Sequence, residues 1–306
     1  MGMAVPAEQA RGVTAPLQRA RLVIECMRPR HWVKNAFVLA GVVFAGRFFH
    51  PLQDLEALAV TAAFCLASGC TYLLNDAQDA RDDALNPRTA GRPVARGELP
   101  VGTARGSAAV VGAIALAGAA LVNWQSLAIL AAYLALQLAY SHGLKHVLFL
   151  DVIAIAAGFV LRAVAGGLAI GVTVSSWLLL STGLLATFLG LVKRRGEATS
   201  GAAQPRPLVR DEYSVALLDS LISVVAPATL VVYSLYVVNG ARTHWMLLTV
   251  PFVLYGLFRV LFLLHRPAGI VDEPATVVLQ DRPLLACILL WAITAAAIVA
   301  IGGAAG

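Results

Sequence analysis

A chain of 306 residues that is 59% hydrophobic and only 13% charged, with a mean hydropathy of +0.78, has more apolar side chains than one soluble core can bury. They lie in continuous runs near the ~20 residues a membrane helix needs, not in alternating ten-residue segments, which argues against a β-barrel. The net charge of +6 suits anionic headgroups or phosphates. No aromatic-basic surface module accompanies it, so nucleic acid is not an expected partner.

In chain order, residues 1–20 lack an apolar core and a small-residue cleavage site and read as a flexible cytoplasmic tail, not a signal peptide. Residues 21–306 read as a single transmembrane catalytic domain. From about 18 to 34, Leu22, Val23, Ile24, Met27 and Trp32 stand among arginines, the pattern of a helix lying at the membrane interface. Nine spans follow, at roughly 33–50, 54–75, 101–122, 124–141, 147–170, 175–192, 214–238, 243–264 and 283–303. The expectation is an all-α integral membrane protein with nine transmembrane helices. Cys26, Cys65, Cys70 and Cys287 have no metal-ligand spacing.

Orientation follows from lysine and arginine, which concentrate on the cytoplasmic side. With the amino terminus inside, the inner segments collect nearly all of them, and the outer turns hold only Arg47 and Arg242. The expected location is therefore the inner (plasma) membrane, with the amino terminus and the polar loops cytoplasmic. Outer loops (51–53, 122–124, 171–174 and 239–242) are short. Inner loops (76–100, 142–146, 193–213 and 265–282) hold nearly all the polar chemistry. One chemical face suits an enzyme better than a transporter, which more often places polar features at mid-depth.

The densest chemistry ends the second span. Asp76, Asp79 and Asp83 stand at i, i+3 and i+7, within a ~60° arc if the helix is regular. Three like charges so placed call for a cation, and hard oxygen ligands suit Mg²⁺, which takes one or two carboxylates plus phosphate oxygens. The bland alternative is a solvated helix end. Asn75 lies one turn before Asp79 and can steady a carboxylate or ligand. Arg88, Arg92 and Arg96 follow at intervals of four, but Pro93 breaks any regular helix through them. They are expected to line a loop folding back over the metal, where guanidinium groups suit phosphates; plain positive-inside charge is the alternative.

The run Asn75-Asp76-x-x-Asp79-x-x-x-Asp83 resembles the first motif of the UbiA-type membrane prenyltransferases. A narrower resemblance, to the decaprenyl-phosphate phosphoribosyltransferase branch, rests on several further motifs. They are Arg28-Pro-Arg-His-Trp-Val-Lys-Asn35, Tyr72-Leu-Leu-Asn-Asp76, Asn86-Pro87-Arg88 with Arg92-Pro93, and Tyr140-Ser-x-Gly-Leu-Lys145-His146. Phe159-Val-Leu-Arg162 with Gly166-Gly167, Lys193-Arg194-Arg-x-Glu197, and Leu279-x-Asp281-Arg282-Pro283 complete the set. The resemblance implies a nine-helix bundle with its active site at the cytoplasmic face and Mg²⁺ as cofactor. It also implies transfer of 5-phosphoribosyl from 5-phosphoribosyl diphosphate to a polyprenyl phosphate, feeding decaprenyl-phosphoryl arabinose and cell-wall arabinan. Two departures from the branch are mild: Asn86-Pro87-Arg88 stands where His-Pro-x-Lys is usual, and Gly196 where alanine is common. The wider family's second aspartate motif is absent, with Lys193–Glu197 in its place.

On that reading Asp76 and Asp79, with Asp83 directly or through water, hold the metal on a leaving pyrophosphate. The nucleophile is already anionic, so no strong base is required and positioning carries the burden. Lys34, Lys145 and Lys193 come from three inner segments and can converge on phosphates. Arg194 and Glu197, a turn apart, can form a clamp in which Glu197 holds a ribose hydroxyl or a second metal. Asp151 is expected to pair with Lys145 or bind ribose, and Tyr140 belongs to the substrate-binding set. Arg162, costly within a span, is expected to face the bundle interior and either hold the cavity together or touch the lipid phosphate. His31, His142 and His146 read as polar edge residues. Homo-oligomerisation fits a compact membrane enzyme, although nothing in the sequence specifies it. Competing readings are an aromatic-acceptor prenyltransferase, which predicts a second acidic motif, and a non-catalytic lipid or metal transporter.

Overall fold

The computed structural model describes residues 16–45, 50–87, 89–199, 212–241, 243–266, 277–278 and 280–304. Among the described residues there are helices and turns and no strand. A short helix, α1 (Pro16–Met27), leads through a 3₁₀ segment (Pro29–Ala36) into α2 (Phe37–Ala45). Then come α3 (Pro51–Gln78), α4 (Ala80–Leu85), α5 (Val101–Val122), α6 (Trp124–His142), α7 (Leu150–Ala169) and α8 (Ser176–Thr199). The chain ends with α9 (Val215–Asn239), a 3₁₀ turn (His244–Thr249) continued by α10 (Val250–Leu264), and α11 (Arg282–Ala304).

Seven of these elements are long and apolar enough to cross a membrane: α3, α5, α7, α8, α9, the continuous stretch His244–Leu264, and α11. Two of the nine expected spans are not among them. The stretch 33–50 is divided between the 3₁₀ segment and the nine-residue α2, its last residues falling partly outside the described ones. The stretch 124–141 does form the 19-residue α6, but Gln125, Gln137 and the polar end at Ser141 and His142 dilute its apolar run. Two expected loop boundaries also move. Pro51 opens α3 instead of lying in an outer turn, because its fixed φ and missing N–H suit a first helical position. At the other end of the bundle α8 runs through to Thr199, so Lys193–Glu197 is helical.

Long α3 is the hub, packed against α1, α2, α5, α6 and α7. Val38, Val60, Phe64, Ala67, Leu130, Tyr133 and Ala165 form the core of this half. A second core joins α7 to α8, α9 and α10 through Val152, Phe188, Val192, Leu218, Ile222 and Leu264. Apolar helices have little hydrophobic drive to associate in lipid, so close backbone approach matters. The clearest case is α2 on α7: a Cβ on Gly166 would lie 1.7 Å from the Val38 carbonyl oxygen. On the outside, Val110, Ile114, Val224, Val231, Phe258 and Ile293 are exposed, an apolar surface that only a lipid environment makes favourable.

Polar ties cross the helices where the chain supplies them. Asn123 caps α6, its Oδ1 accepting from Ser126 N–H at 2.7 Å, while its amide donates to the Leu168 carbonyl of α7 at 3.1 Å. Arg195 donates to Asp219 at 3.0 Å and to the Leu264 carbonyl at 3.1 Å, linking α8 to α9 and α10.

Candidate active site

The polar residues singled out in the sequence gather at one end of the bundle, where α3 and α8 finish and α7 begins. The local backbone there departs from a straight helix. α3 stops at Gln78, Asp79 takes φ −93° and ψ 11°, and α4 starts afresh at Ala80. Asp79 N–H still donates to the Asn75 carbonyl and Asp83 N–H to the Asp79 carbonyl, each at 2.8 Å. The three aspartates therefore flank a bend and do not share one arc of a regular helix.

Each carboxylate meets a cation from elsewhere in the chain. Arg28, just after α1, donates to Asp76 Oδ1. Arg92, in the turns after α4, donates through Nη1 to Asp83 Oδ2 at 2.5 Å and lies 3.4 Å from Asp76 Oδ1. Lys145 Nζ lies 3.7 Å from Asp79 Oδ2. The loop thus folds back over the acids as expected for Arg92, whereas Arg88 lies outside the described residues. Arg28 reaches Asp76 from a left-handed backbone (φ 52°, ψ 65°) immediately before Pro29, a conformation unusual for a non-glycine residue. Its guanidinium lies 4.5 Å from the centroid of the Tyr72 ring, one turn before Asp76. Lys34 Nζ donates to the Tyr72 hydroxyl at 2.6 Å, so Lys34 joins the cluster through that tyrosine. Asn75 Oδ1 accepts from Ser141 Oγ at 2.6 Å, and both line a cleft of about 330 Å³ with Leu74, Gln78, Arg105, Leu138 and His142.

Whether Mg²⁺ fits can be asked of the oxygens themselves. Among the described residues no group of three or more His, Cys, Asp or Glu forms a ready metal cage. Mg²⁺ does not require one, since it retains waters and shares its shell with substrate phosphates. Asp76 is 1% exposed, and its Oδ2 is buried with no hydrogen-bond partner among the described residues. A buried polar atom without a partner is unfavourable, and this one is a hard anionic oxygen. Asp83, 11% exposed, and Asp79, 36% exposed, stand on the same bend. The donor set fits the ion.

A second network lies beside the first. Arg194, on the last turns of α8, donates from Nε to Asp151 Oδ2 at 2.6 Å, from Nη1 to Glu197 at 2.7 Å and from Nη2 to the Tyr140 hydroxyl at 3.2 Å. Arg194 and Asp151 are each 1% exposed. Tyr213 donates to the other oxygen of Asp151 at 2.8 Å. Both Asp151 oxygens are thereby engaged, and the expected pairing with Lys145 is not formed; Lys145 faces Asp79 instead. The expected Arg194–Glu197 pair is present, but its guanidinium is buried between carboxylates. Lys193 stands half-buried on the same turns. Tyr140 and Ser141 are successive residues of α6, so the end of that helix touches both networks.

Arg162 forms a third and deeper knot. It donates to Asn35 Oδ1 at 2.8 Å, to the Tyr133 hydroxyl at 2.8 Å and to the Gly158 carbonyl at 2.9 Å, and it lies over the Tyr133 ring. It faces the bundle interior as expected and ties the 3₁₀ segment to α6 and α7 through neutral partners. Arg28, Tyr72, Ser141 and Tyr213 are the members of the first two networks that pattern reading did not select. Arg28, Tyr72 and Ser141 lay within recognisable motifs, and the i, i+4 spacing of Tyr72 and Asp76 could have placed that tyrosine beside the acid; no spacing connects Arg28 to Asp76, and Tyr213 carried no signal.

The chain as a whole is similar to known proteins. The family model described as the UbiA prenyltransferase family matches residues 35–276, and the chain belongs to that family of multi-pass membrane proteins. It is 31% identical over 291 residues to a decaprenyl-phosphate phosphoribosyltransferase of Mycobacterium tuberculosis, covering 92% of this chain and 95% of that one. A protein of the same name from Corynebacterium glutamicum is 31% identical over 90% of this chain and 86% of its own. Among solved structures, a UbiA homolog from Archaeoglobus fulgidus bound to GPP and Mg²⁺ superposes with a TM-score of 0.71. Its identity is 18%, over 91% of this chain and 99% of that one, a likeness of fold.

Proposed function

We propose that this protein transfers 5-phosphoribosyl from 5-phosphoribosyl diphosphate to a polyprenyl phosphate, decaprenyl phosphate in the first instance, releasing pyrophosphate. The observation that carries the reading is the buried Asp76 Oδ2, which has no hydrogen-bond partner among the described residues, on a carboxylate whose other oxygen meets Arg28 and Arg92, with the Asp79–Lys145 pair on the same bend. It marks a place where an anion-bearing cation would complete the structure. Support for phosphoribosyl transfer to decaprenyl phosphate comes from the relatives, which carry that name and whose alignment runs through nearly the whole chain. The product then feeds decaprenyl-phosphoryl arabinose and cell-wall arabinan. We place the site at the cytoplasmic face of the plasma membrane on the lysine and arginine bias, with nine spans once 33–50 and 124–141 are counted and residues 21–306 as one catalytic domain.

Mg²⁺ would be held by Asp76 with Asp79 and Asp83 at the bend, and when bound it would neutralise the pyrophosphate as that group departs. Arg28, Arg92 and Lys145 add positive charge around the same oxygens, where preorganised donors stabilise developing anionic charge. An oxygen of the lipid phosphate attacks the anomeric carbon, the bond to pyrophosphate breaks, and its electron pair leaves with pyrophosphate. The attacking oxygen is already anionic, which accounts for a site built from positioning groups without a general base. Lys34, stacked on Tyr72, supports the lipid phosphate, and Glu197 with Tyr140 faces the sugar.

The test combines purified protein, Mg²⁺, labelled 5-phosphoribosyl diphosphate and decaprenyl phosphate. Label entering the organic phase in a metal-dependent manner supports the proposal. No transfer there, but prenylation of 4-hydroxybenzoate from a prenyl diphosphate, assigns the chain to the aromatic-acceptor branch instead.

A further inference from the structure

Resting on that reaction, we infer that Tyr213, from the turn preceding α9, is a positioning residue for the sugar-diphosphate half of the site. It acts by holding Asp151 so that Arg194 presents Glu197 and Tyr140. Arg194 is almost wholly buried and has its Nε, Nη1 and Nη2 committed to Asp151, Glu197 and Tyr140. It therefore serves as a strut behind the two groups that remain partly accessible. A planar guanidinium transmits orientation, because its donors lie in a fixed fork. Whatever sets the Asp151 carboxylate thus sets Glu197 and Tyr140.

Tyr213 is that setting group. Its hydroxyl donates to Asp151 Oδ1 at 2.8 Å and accepts from the Phe149 N–H at 3.1 Å. Phe149 immediately precedes α7, where a backbone N–H has no helical partner of its own. Phe149 sits at φ 66° and ψ −33°, in the positive-φ region that a residue with a side chain rarely adopts. Such backbone persists where surrounding structure over-determines it, and it gathers at functional positions. The Phe149 and Tyr213 rings meet edge to face with centroids 6.2 Å apart. Tyr213 itself is buried, and burial together with Asp151 pushes its phenol above the ordinary range. The hydroxyl accordingly keeps its proton and remains a donor. Asp151 and Tyr213 are 62 residues apart in sequence, so the connection between α8 and α9 ends by locking the beginning of α7.

The experiment is Tyr213→Phe in the full-length enzyme, with steady-state kinetics and thermal unfolding in the presence and absence of 5-phosphoribosyl diphosphate. Loss of a hydrogen bond to a charged group predicts a KM for 5-phosphoribosyl diphosphate raised about tenfold. The KM for decaprenyl phosphate should stay unchanged, and the stabilisation conferred by the sugar diphosphate should shrink. Equal rises in both KM values, or none, overturn the inference, since a purely structural role favours neither substrate. Should Tyr213→Phe not fold, Phe149→Gly decides. It removes the positive-φ penalty and loosens the N–H that aims Tyr213, and the same one-sided KM rise, about threefold, is expected; an unchanged KM overturns the inference. If the unaltered enzyme neither binds nor uses 5-phosphoribosyl diphosphate, the proposed reaction fails and the inference falls with it. If it does both and the variants match it, only the inference falls.

Discussion

The bend after α3 and the buried strut at the end of α8 use the same chemistry to opposite ends. At the bend, Asp76 is buried but one of its oxygens has no partner among the described residues. Its arginines, Arg28 and Arg92, remain 23% and 30% exposed. Around Arg194, both oxygens of Asp151 and all three guanidinium nitrogens are engaged. A satisfied buried network stiffens a structure, whereas a buried oxygen without a partner leaves an acceptor that a water or an ion can take. Under the proposed reaction, the first region is the reacting end and the second its support.

The sharpest way to break this contrast is to neutralise one charged side chain in each region. Asp76→Asn should lower transfer by roughly 10²–10³-fold, the scale of losing a principal electrostatic contact to the transition state, while thermal unfolding stays near that of the parent. Wild-type rates would remove Asp76 from the site. Arg194→Met should do the reverse: it leaves Asp151 and Glu197 buried without their counterion and should destabilise by about 3–5 kcal/mol, read as an early unfolding transition or failed purification. A folded, stable Arg194→Met protein would show that the strut is dispensable. Next in size is Gly166→Ala, whose Cβ meets the Val38 carbonyl oxygen; forcing α2 from α7 should cost about 1–3 kcal/mol, measurable by thermal unfolding. The smallest stability effect belongs to Lys145→Ala. Its pair with Asp79 is 3.7 Å long and partly exposed, so stability should change by less than about 1 kcal/mol. The KM for 5-phosphoribosyl diphosphate should nonetheless rise, and an unchanged KM would move Lys145 out of the site.

How far the sequence reached can be argued residue by residue. The Asp76, Asp79 and Asp83 spacing pointed to the end of the helix where Arg28, Arg92 and Lys145 gather, because composition and local spacing are properties of a short window. The arc drawn through those aspartates assumed a regular helix, and the turn from α3 into α4 at Asp79 removed that assumption. Asp151 was legible as a site residue, but its partner was not. Lys145 is six positions away and looked available, whereas Arg194 and Tyr213 lie 43 and 62 positions away. Arg162 was expected to face inward because a charge in lipid is unfavourable, yet nothing in the pattern named Asn35 and Tyr133 as its partners.

The amino-acid sequence by itself determined that this chain is a helical membrane protein, which stretches are apolar, and which short segment concentrates its acids and bases. Hydrophobic transfer and local charge act through composition and near neighbours, so they can be read along the chain. Only the tertiary structure decided which cation meets which carboxylate, that one Asp76 oxygen has no partner among the described residues while both Asp151 oxygens are engaged, and that Tyr213 reaches the start of α7. Those outcomes depend on how separate helices pack, and packing brings together residues whose distance along the chain says nothing about their distance in space.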